Sequence, residues 1–149
     1  MRAVVQRVKQ AEVRVQGEVV GRVEAGFCVL VGVGDDDAPS DAEALAEKVC
    51  HLRILSDADG KMNRSVLESG GGILAVSQFT LHGDARKGRR PSFAHAMAPA
   101  VAEPLFDLFC SACRALGVVV QTGRFGADML VEILGDGPVT ILLDTKRQF

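Results

Sequence analysis

The chain has 149 residues, 48% of them hydrophobic, and a formal net charge of -2. That length fits one compact domain spanning residues 1–149, and a charge so near zero excludes a surface that coats nucleic acid indiscriminately, so a polyanion must be met by a local patch. No apolar stretch reaches the roughly 18 residues of a membrane span, and Arg2 and Arg7 interrupt the first apolar run, so neither a signal peptide nor a membrane segment is expected and the chain is placed in the cytoplasm.

The first third reads as β-structure. Strands are predicted over Ala3 to Val8, Ala11 to Val15 and Val19 to Val23, with Val13 and Val15 alternating with polar neighbours and Gly17-Glu18 as a hairpin turn. After a turn at Ala25-Gly26, the continuous apolar run from Phe27 to Val33 suits a central strand covered on both faces. Gly34-Asp35-Asp36-Asp37 reads as a solvated acidic turn, because a calcium loop spaces its ligands at alternate positions and closes with a distant Glu. Ser40 and Glu43 have the spacing of a capping box, and Ala42, Leu45, Ala46, Val49 and Leu52 share one face of the helix that follows. Arg53 to Leu55 reads as a short strand, Asp57 to Gly60 as a turn and Lys61 to Ser65 as a polar connection. Gly70-Gly71-Gly72 lacks the Lys-Ser/Thr of a phosphate loop and reads as a flexible entry to the next strand.

That strand, Ile73 to Val76, begins buried and then turns polar at Ser77, Gln78 and Thr80 without a turn residue. Two readings stand at this point: a strand running out into a polar loop, or a site at a strand end. Directly beyond it, Arg86, Lys87, Arg89 and Arg90 crowd into five positions and form a candidate phosphate-binding loop. Pro99 to Leu116 reads as a helix whose regular part starts at about Val101 to Glu103, since Pro104 belongs in a first turn. Leu105, Leu108, Phe109, Ala112, Cys113 and Leu116 have core spacing there, and Gly117 ends it. Cys110 and Cys113 have redox-motif spacing without a second pair or a thioredoxin-like context, so the four cysteines are read as reduced structural thiols. His51, His82 and His95 form no ligand spacing, and neither a metal nor a cofactor is expected. Strands return at Val118 to Thr122, Met129 to Leu134 and Val139 to Leu143, the last two joined by Gly135-Asp136-Gly137-Pro138, a rigid corner with exposed carbonyls.

Four segments then stand together: Ser77-Gln78-Phe79-Thr80-Leu81, Arg86 to Phe93, Thr122 to Met129, and Gly137-Pro138-Val139-Thr140. In this order they resemble the D-aminoacyl-tRNA deacylase family, and the likeness runs from Met1 to Asp144. One departure is local: the last signature usually reads Asn-x-Gly-Pro-Val-Thr, and Gly135 holds the Asn position here. The resemblance implies an α/β fold of α+β type, with a mixed, barrel-like sheet and two principal packing helices. It implies a homodimer with active sites at the subunit interface, acting on D-aminoacyl-tRNA and on mischarged glycyl-tRNA such as Gly-tRNA(Ala), and rejecting L-aminoacyl-tRNA in translation quality control. Ser77, Gln78, Phe79 and Thr80 would form the catalytic floor. Gly137 and Pro138, joined by a cis bond, would enter from the other subunit as the chiral wall, with Arg7 supporting them and Phe125 and Met129 shaping the pocket. The basic loop of Arg86, Lys87, Arg89 and Arg90 would meet the tRNA. The partner implied is RNA, with no DNA, membrane, metal or cofactor.

The chemistry agrees with that reading. An aminoacyl ester is already activated, so orienting a water and stabilising an oxyanion suffice, and the amides of Phe79 and Thr80 are the donors at hand. Thr80 stays open as a pocket residue or a nucleophile, because no His or carboxylate is placed to activate it; the resemblance implies help from the substrate's own ribose hydroxyl. Two rivals remain: a noncatalytic RNA-binding module, which the basic loop suits but the absence of Tyr and Trp for base stacking does not, and a hydrolase of free D-amino-acid esters or small peptides.

Overall fold

In the computed structural model, which describes residues 1–149, one long strand pairs with three others. This strand, β1 (Arg2–Val15), continues through Lys9-Gln10, which the sequence pattern treats as a break. On one side its first half is antiparallel to β3 (Gly26–Gly32) and its second half to β2 (Glu18–Val23); on the other side it is antiparallel to β8 (Leu130–Asp144). Gln16 and Gly17 both take positive φ, 50° and 82°, and make the tight turn from β1 to β2. The sheet then extends through parallel pairing of β3 with β6 (Gly72–Ser77) and of β6 with β7 (Val119–Thr122). It curls nearly closed: a Cβ on Gly21 of β2 would lie 2.4 Å from the Thr122 carbonyl oxygen of β7, so only glycine permits that approach. The architecture is the expected mixed, barrel-like sheet of an α+β fold.

Alternation along the central strands feeds two cores. Phe27, Val29 and Val31 of β3, with Ile73 and Ala75 of β6, face the helices α1 (Pro39–Cys50) and α3 (Pro99–Ala115); Cys28, Leu74 and Val76 point the other way into a smaller cluster with Val8, Val13 and Val23. The both-faces-covered reading of β3 therefore holds. Leu45, Ala46 and Val49 of α1 meet Phe109 and Cys113 of α3 in the larger core, and the four-residue helix α2 (Val66–Ser69) contributes the buried Val66.

Several local expectations are corrected. Helix α1 starts on Pro39, which pre-sets the first helical φ, so Ser40 lies inside the helix; the Asp41 carboxylate reaches back to the Ala38 amide at 2.9 Å in place of the Ser40–Glu43 box. A capping box does occur at Ser65–Glu68, where the Glu68 carboxylate accepts from the Ser65 amide at 2.7 Å and the Ser65 hydroxyl from the Glu68 amide at 3.2 Å. The polar connection thus contains α2, and β5 (Met62–Arg64) pairs with β4 (Leu55–Ser56), which begins later than Arg53. Helix α3 starts at Pro99, earlier than the position inferred from Pro104, and Phe106 and Cys110 take core places while Leu116 is exposed. Asp35 and Asp36 are exposed as expected, but Asp37 is buried, accepts from the Gly34 amide at 2.6 Å and pairs with the Met1 amino group. Strand β8 runs unbroken through Gly135 to Pro138, although its register with β1 slips there.

Gly70, Gly71 and Gly72, the last of which begins β6, serve fit rather than flexibility. Gly70 ends α2 in the left-handed region at φ 71°, and Gly72 presses against Gly26, where a Cβ would come within 2.0 Å of the Gly72 carbonyl oxygen. Gly26 also has φ +151°. Gly26→Ala must therefore force β3 and β6 apart, and we predict a loss of at least about 3 kcal/mol in urea unfolding; a loss below about 1 kcal/mol would show that the two strands adjust freely.

Candidate active site

Strand β6 ends at Ser77, at the edge of the larger core, and the chain turns at once into a short 3-10 helix, Phe79–His82. Gln78 is still bonded to the sheet through its amide and the Val31 carbonyl at 2.7 Å, so the floor is held rigidly. The turn closes through Leu81 N–H to Gln78 carbonyl, 3.2 Å, and Gly83 N–H to Thr80 carbonyl, 2.9 Å. The amides of Phe79 and Thr80, first in the turn, have no acceptor within it. A cavity of about 630 Å³ opens over Ser77, Gln78 and Phe79, within the size range of small-molecule sites.

Fourteen of the nineteen residues that line this cavity are hydrophobic, and Asp128 is the one carboxylate among them. Phe125 and Met129 line it. Thr80 stands beside it, exposed, and its hydroxyl accepts a hydrogen bond from the Gln78 side-chain amide. His82 does not line the cavity; it is buried at the far end of the turn, and burial pushes its pKa below the usual value. Sequence reasoning misses Phe93, Met97, Ala102 and Phe106, which complete the wall. Phe106 packs on Phe125 with ring centroids 6.0 Å apart. For Phe106 a signal exists: on α3 it lies one residue after Leu105, beside the core face and toward the sheet end. Ala102, three residues before Leu105 on the same helix, carries the same signal; Phe93 and Met97 come from the segment before α3, which has no periodicity to read.

The remaining predicted residues lie elsewhere. Arg86, Lys87, Arg89 and Arg90 occupy an exposed loop closed by reciprocal Asp84–Ser92 backbone bonds of 2.8 and 2.9 Å. Within it, Arg86 is engaged by Asp84 at 2.6 Å, and that hydrogen-bonded pairing holds the Asp84 carboxyl well below the carboxylate range. The loop returns through Phe93, whose ring meets Phe79 edge-on at 5.1 Å, so the basic segment is tied to the floor of the cavity. Gly137 and Pro138 are absent from the cavity lining and are exposed; the bond between them is cis. Arg7 holds that corner, its Nε donating to the Asp136 carbonyl at 3.1 Å and its Nη1 to the Ile54 carbonyl at 2.8 Å.

The sequence profile described as D-Tyr-tRNA(Tyr) deacylase matches residues 4–144. The chain belongs to this deacylase family. A relative from Thermus aquaticus named D-aminoacyl-tRNA deacylase is 55% identical over 99% of this chain and 97% of its own length. Among solved structures, one named c-Myc DNA Unwinding Element Binding Protein is 40% identical, with a TM-score of 0.93 over 97% of this chain and 99% of that one. A probable eukaryotic D-amino acid tRNA deacylase shares the fold at a TM-score of 0.82 and 21% identity, over 95% of this chain and 97% of that one. The family is one of ester hydrolases.

The cysteines play no part in the cavity. Burial pushes Cys28 and Cys110 up to about 12, and a thiol hydrogen bond to Cys50 raises Cys113. Since the thiolate is the reactive form, we predict that Cys28, Cys110 and Cys113 resist a disulfide reagent at pH 8 in native protein and react in urea; rapid native labelling of Cys110 or Cys113 would contradict this.

Proposed function

We propose that the chain hydrolyses the ester of D-aminoacyl-tRNA as a cytoplasmic homodimer, each site combining the Ser77–Thr80 floor of one subunit with the Gly137-Pro138 corner of the other. The observation that supports this most is a separation within the single chain: the cavity is lined mainly by hydrophobic residues, while the Gly137-Pro138 corner is exposed and takes no part in its lining. The corner lies on β8, whose other edge pairs with no strand, and Leu130, Leu134 and Leu142 of that strand are 64%, 61% and 60% exposed. A free edge with apolar side chains calls for cover, and a second copy offers it by two-fold pairing.

In this reading the apolar cavity takes the terminal adenosine and the aminoacyl group, and the amides of Phe79 and Thr80 donate to the oxygen that becomes the oxyanion. Water is the nucleophile, assisted by the substrate's ribose hydroxyl. Thr80 is a poor candidate for that role, because its hydroxyl oxygen already accepts from Gln78 and is hydrogen-bonded to no His or carboxylate. Chirality is read by exclusion: the carbonyls of the corner hold the substrate amino group and fill the space an L side chain needs, whatever that side chain is. Glycine has no side chain to exclude, so glycyl-tRNA, Gly-tRNA(Ala) included, is a second substrate. The chain thereby serves translation quality control.

Lys87, Arg89 and Arg90, free of ion pairs, meet phosphates of the acceptor stem, and Arg86 braces their loop through Asp84. A DNA-binding reading, suggested by the name of the 40% identical structure, has only this one loop to rest on in a chain of net charge -2.

Matched D-tyrosyl-, L-tyrosyl- and glycyl-tRNA decide the reading. The D substrate should be cleaved at least about 100-fold faster than the L substrate, as rejection by clash allows, with glycyl-tRNA cleaved as well. Thr80→Ala should stay within about threefold of wild type, since loss of a covalent nucleophile would cost far more. Equal rates on D and L substrates would overturn the proposal.

A further inference from the structure

Pro138 restrains the corner on its far side, but the glycines before it do not: Gly137, at φ +124°, takes a torsion closed to most residues, and Gly135 has no neighbour within 4 Å of where a Cβ would stand. Asp136 is therefore the one side chain between two glycines, and it is held from two directions. Its carboxylate lies 3.3 Å from Arg7 Nε and 3.3 Å from Lys9 Nζ, while its carbonyl accepts from the same Arg7 Nε at 3.1 Å.

Arg7 is itself fixed. Its side chain is 11% exposed, and its other arm donates at 2.8 Å to the carbonyl of Ile54, a residue of the larger core. A Cβ on Gly137 would come within 2.9 Å of Arg7 Nη2, so the guanidinium also packs against the corner. The path runs from the core through Ile54 and Arg7 to Asp136, and Lys9 closes it from the solvent side. Lys9 and Arg7 are alternate residues of β1, so both side chains leave the sheet on the same face and converge on one carboxylate.

We infer that Asp136 and Lys9 are positioning residues for chiral selection: the carboxylate shared by Lys9 and Arg7 fixes the direction in which Gly137 and Pro138 present their carbonyls. This rests on the proposal that the corner is the chiral wall. Without the Asp136 carboxylate the arm between the glycines turns more freely, an L side chain is tolerated more often, and the D preference falls.

The test compares wild type, Asp136→Ala and Lys9→Gln on matched D- and L-tyrosyl-tRNA in single-turnover assays, with dimer content and thermal unfolding measured alongside. Asp136→Ala should lower the D/L rate ratio about tenfold, the scale of one lost charge-assisted hydrogen bond, mainly through a faster L reaction and with D-substrate affinity within about twofold. Lys9→Gln should lower it in the same direction by at least about threefold. A merely structural role would change the unfolding temperature and leave the ratio alone. A folded Asp136→Ala protein whose ratio falls by less than about threefold overturns the inference; if that variant does not fold, Lys9→Gln, at a side chain 66% exposed, decides by the same criterion. Failure of the underlying reading is distinguishable, because wild type would then show no D preference at all.

Discussion

The arrangement depends on how Arg7 fills a break between two strands. Strands β1 and β8 pair in register from Arg2 with Asp144 to Gln6 with Thr140, and resume at Val8 with Gly135, so four residues of β8 face Arg7 alone. Those four, Asp136 to Val139, leave the ladder as a bulge. Its carbonyls need partners or solvent, and Arg7, always charged and carrying a rigid fork of donors, supplies the partner for Asp136 while gripping the Ile54 carbonyl. A lysine there has no fork to span both acceptors. The bulge turns a plain edge strand into a displayed corner.

The floor obeys a complementary logic. Strand β6 is buried on both faces up to Val76 and is paired in parallel with β3, so Ser77 and Gln78 emerge directly from the buried core. The polar turn that follows exposes amides where the apolar cavity opens. A low-dielectric cavity strengthens such donors, and an activated ester asks for little more. In the proposed reaction backbone amides carry the chemistry and backbone carbonyls the selectivity, with side chains such as Arg7, Gln78 and Phe93 holding each in place.

Much of this was legible in residue pattern, for physical reasons that differ from segment to segment. The continuous apolar run Phe27 to Val33 can only be a strand covered on both sides, and the polar end at Ser77 marks an exit from the core. Ser40 has the spacing of a helix cap, yet Pro39 fits the first helical turn better and places the cap at Ala38. The pairing of Asp37 with the Met1 amino group was illegible, since it joins residues that only the fold brings together. The same holds for Phe93 on Phe79 and for Asp136 between Lys9 and Arg7: these are contacts across long sequence separations with no periodicity to announce them. The family resemblance located the corner, and the structure shows what anchors it within one chain.

The central claim is that the floor of one chain works with the corner of another, and subunit mixing tests it most directly. Phe79→Pro removes one floor amide at a helix position that tolerates proline, and Gly137→Ala places a Cβ against Arg7 and Val139 in the corner. Each protein alone should be inactive on D-tyrosyl-tRNA. After co-refolding in equal amounts, half of the dimers are hybrids with one intact site of two, so about a quarter of wild-type activity should return. No recovery in a mixture shown by mass spectrometry to contain the hybrid would contradict the account.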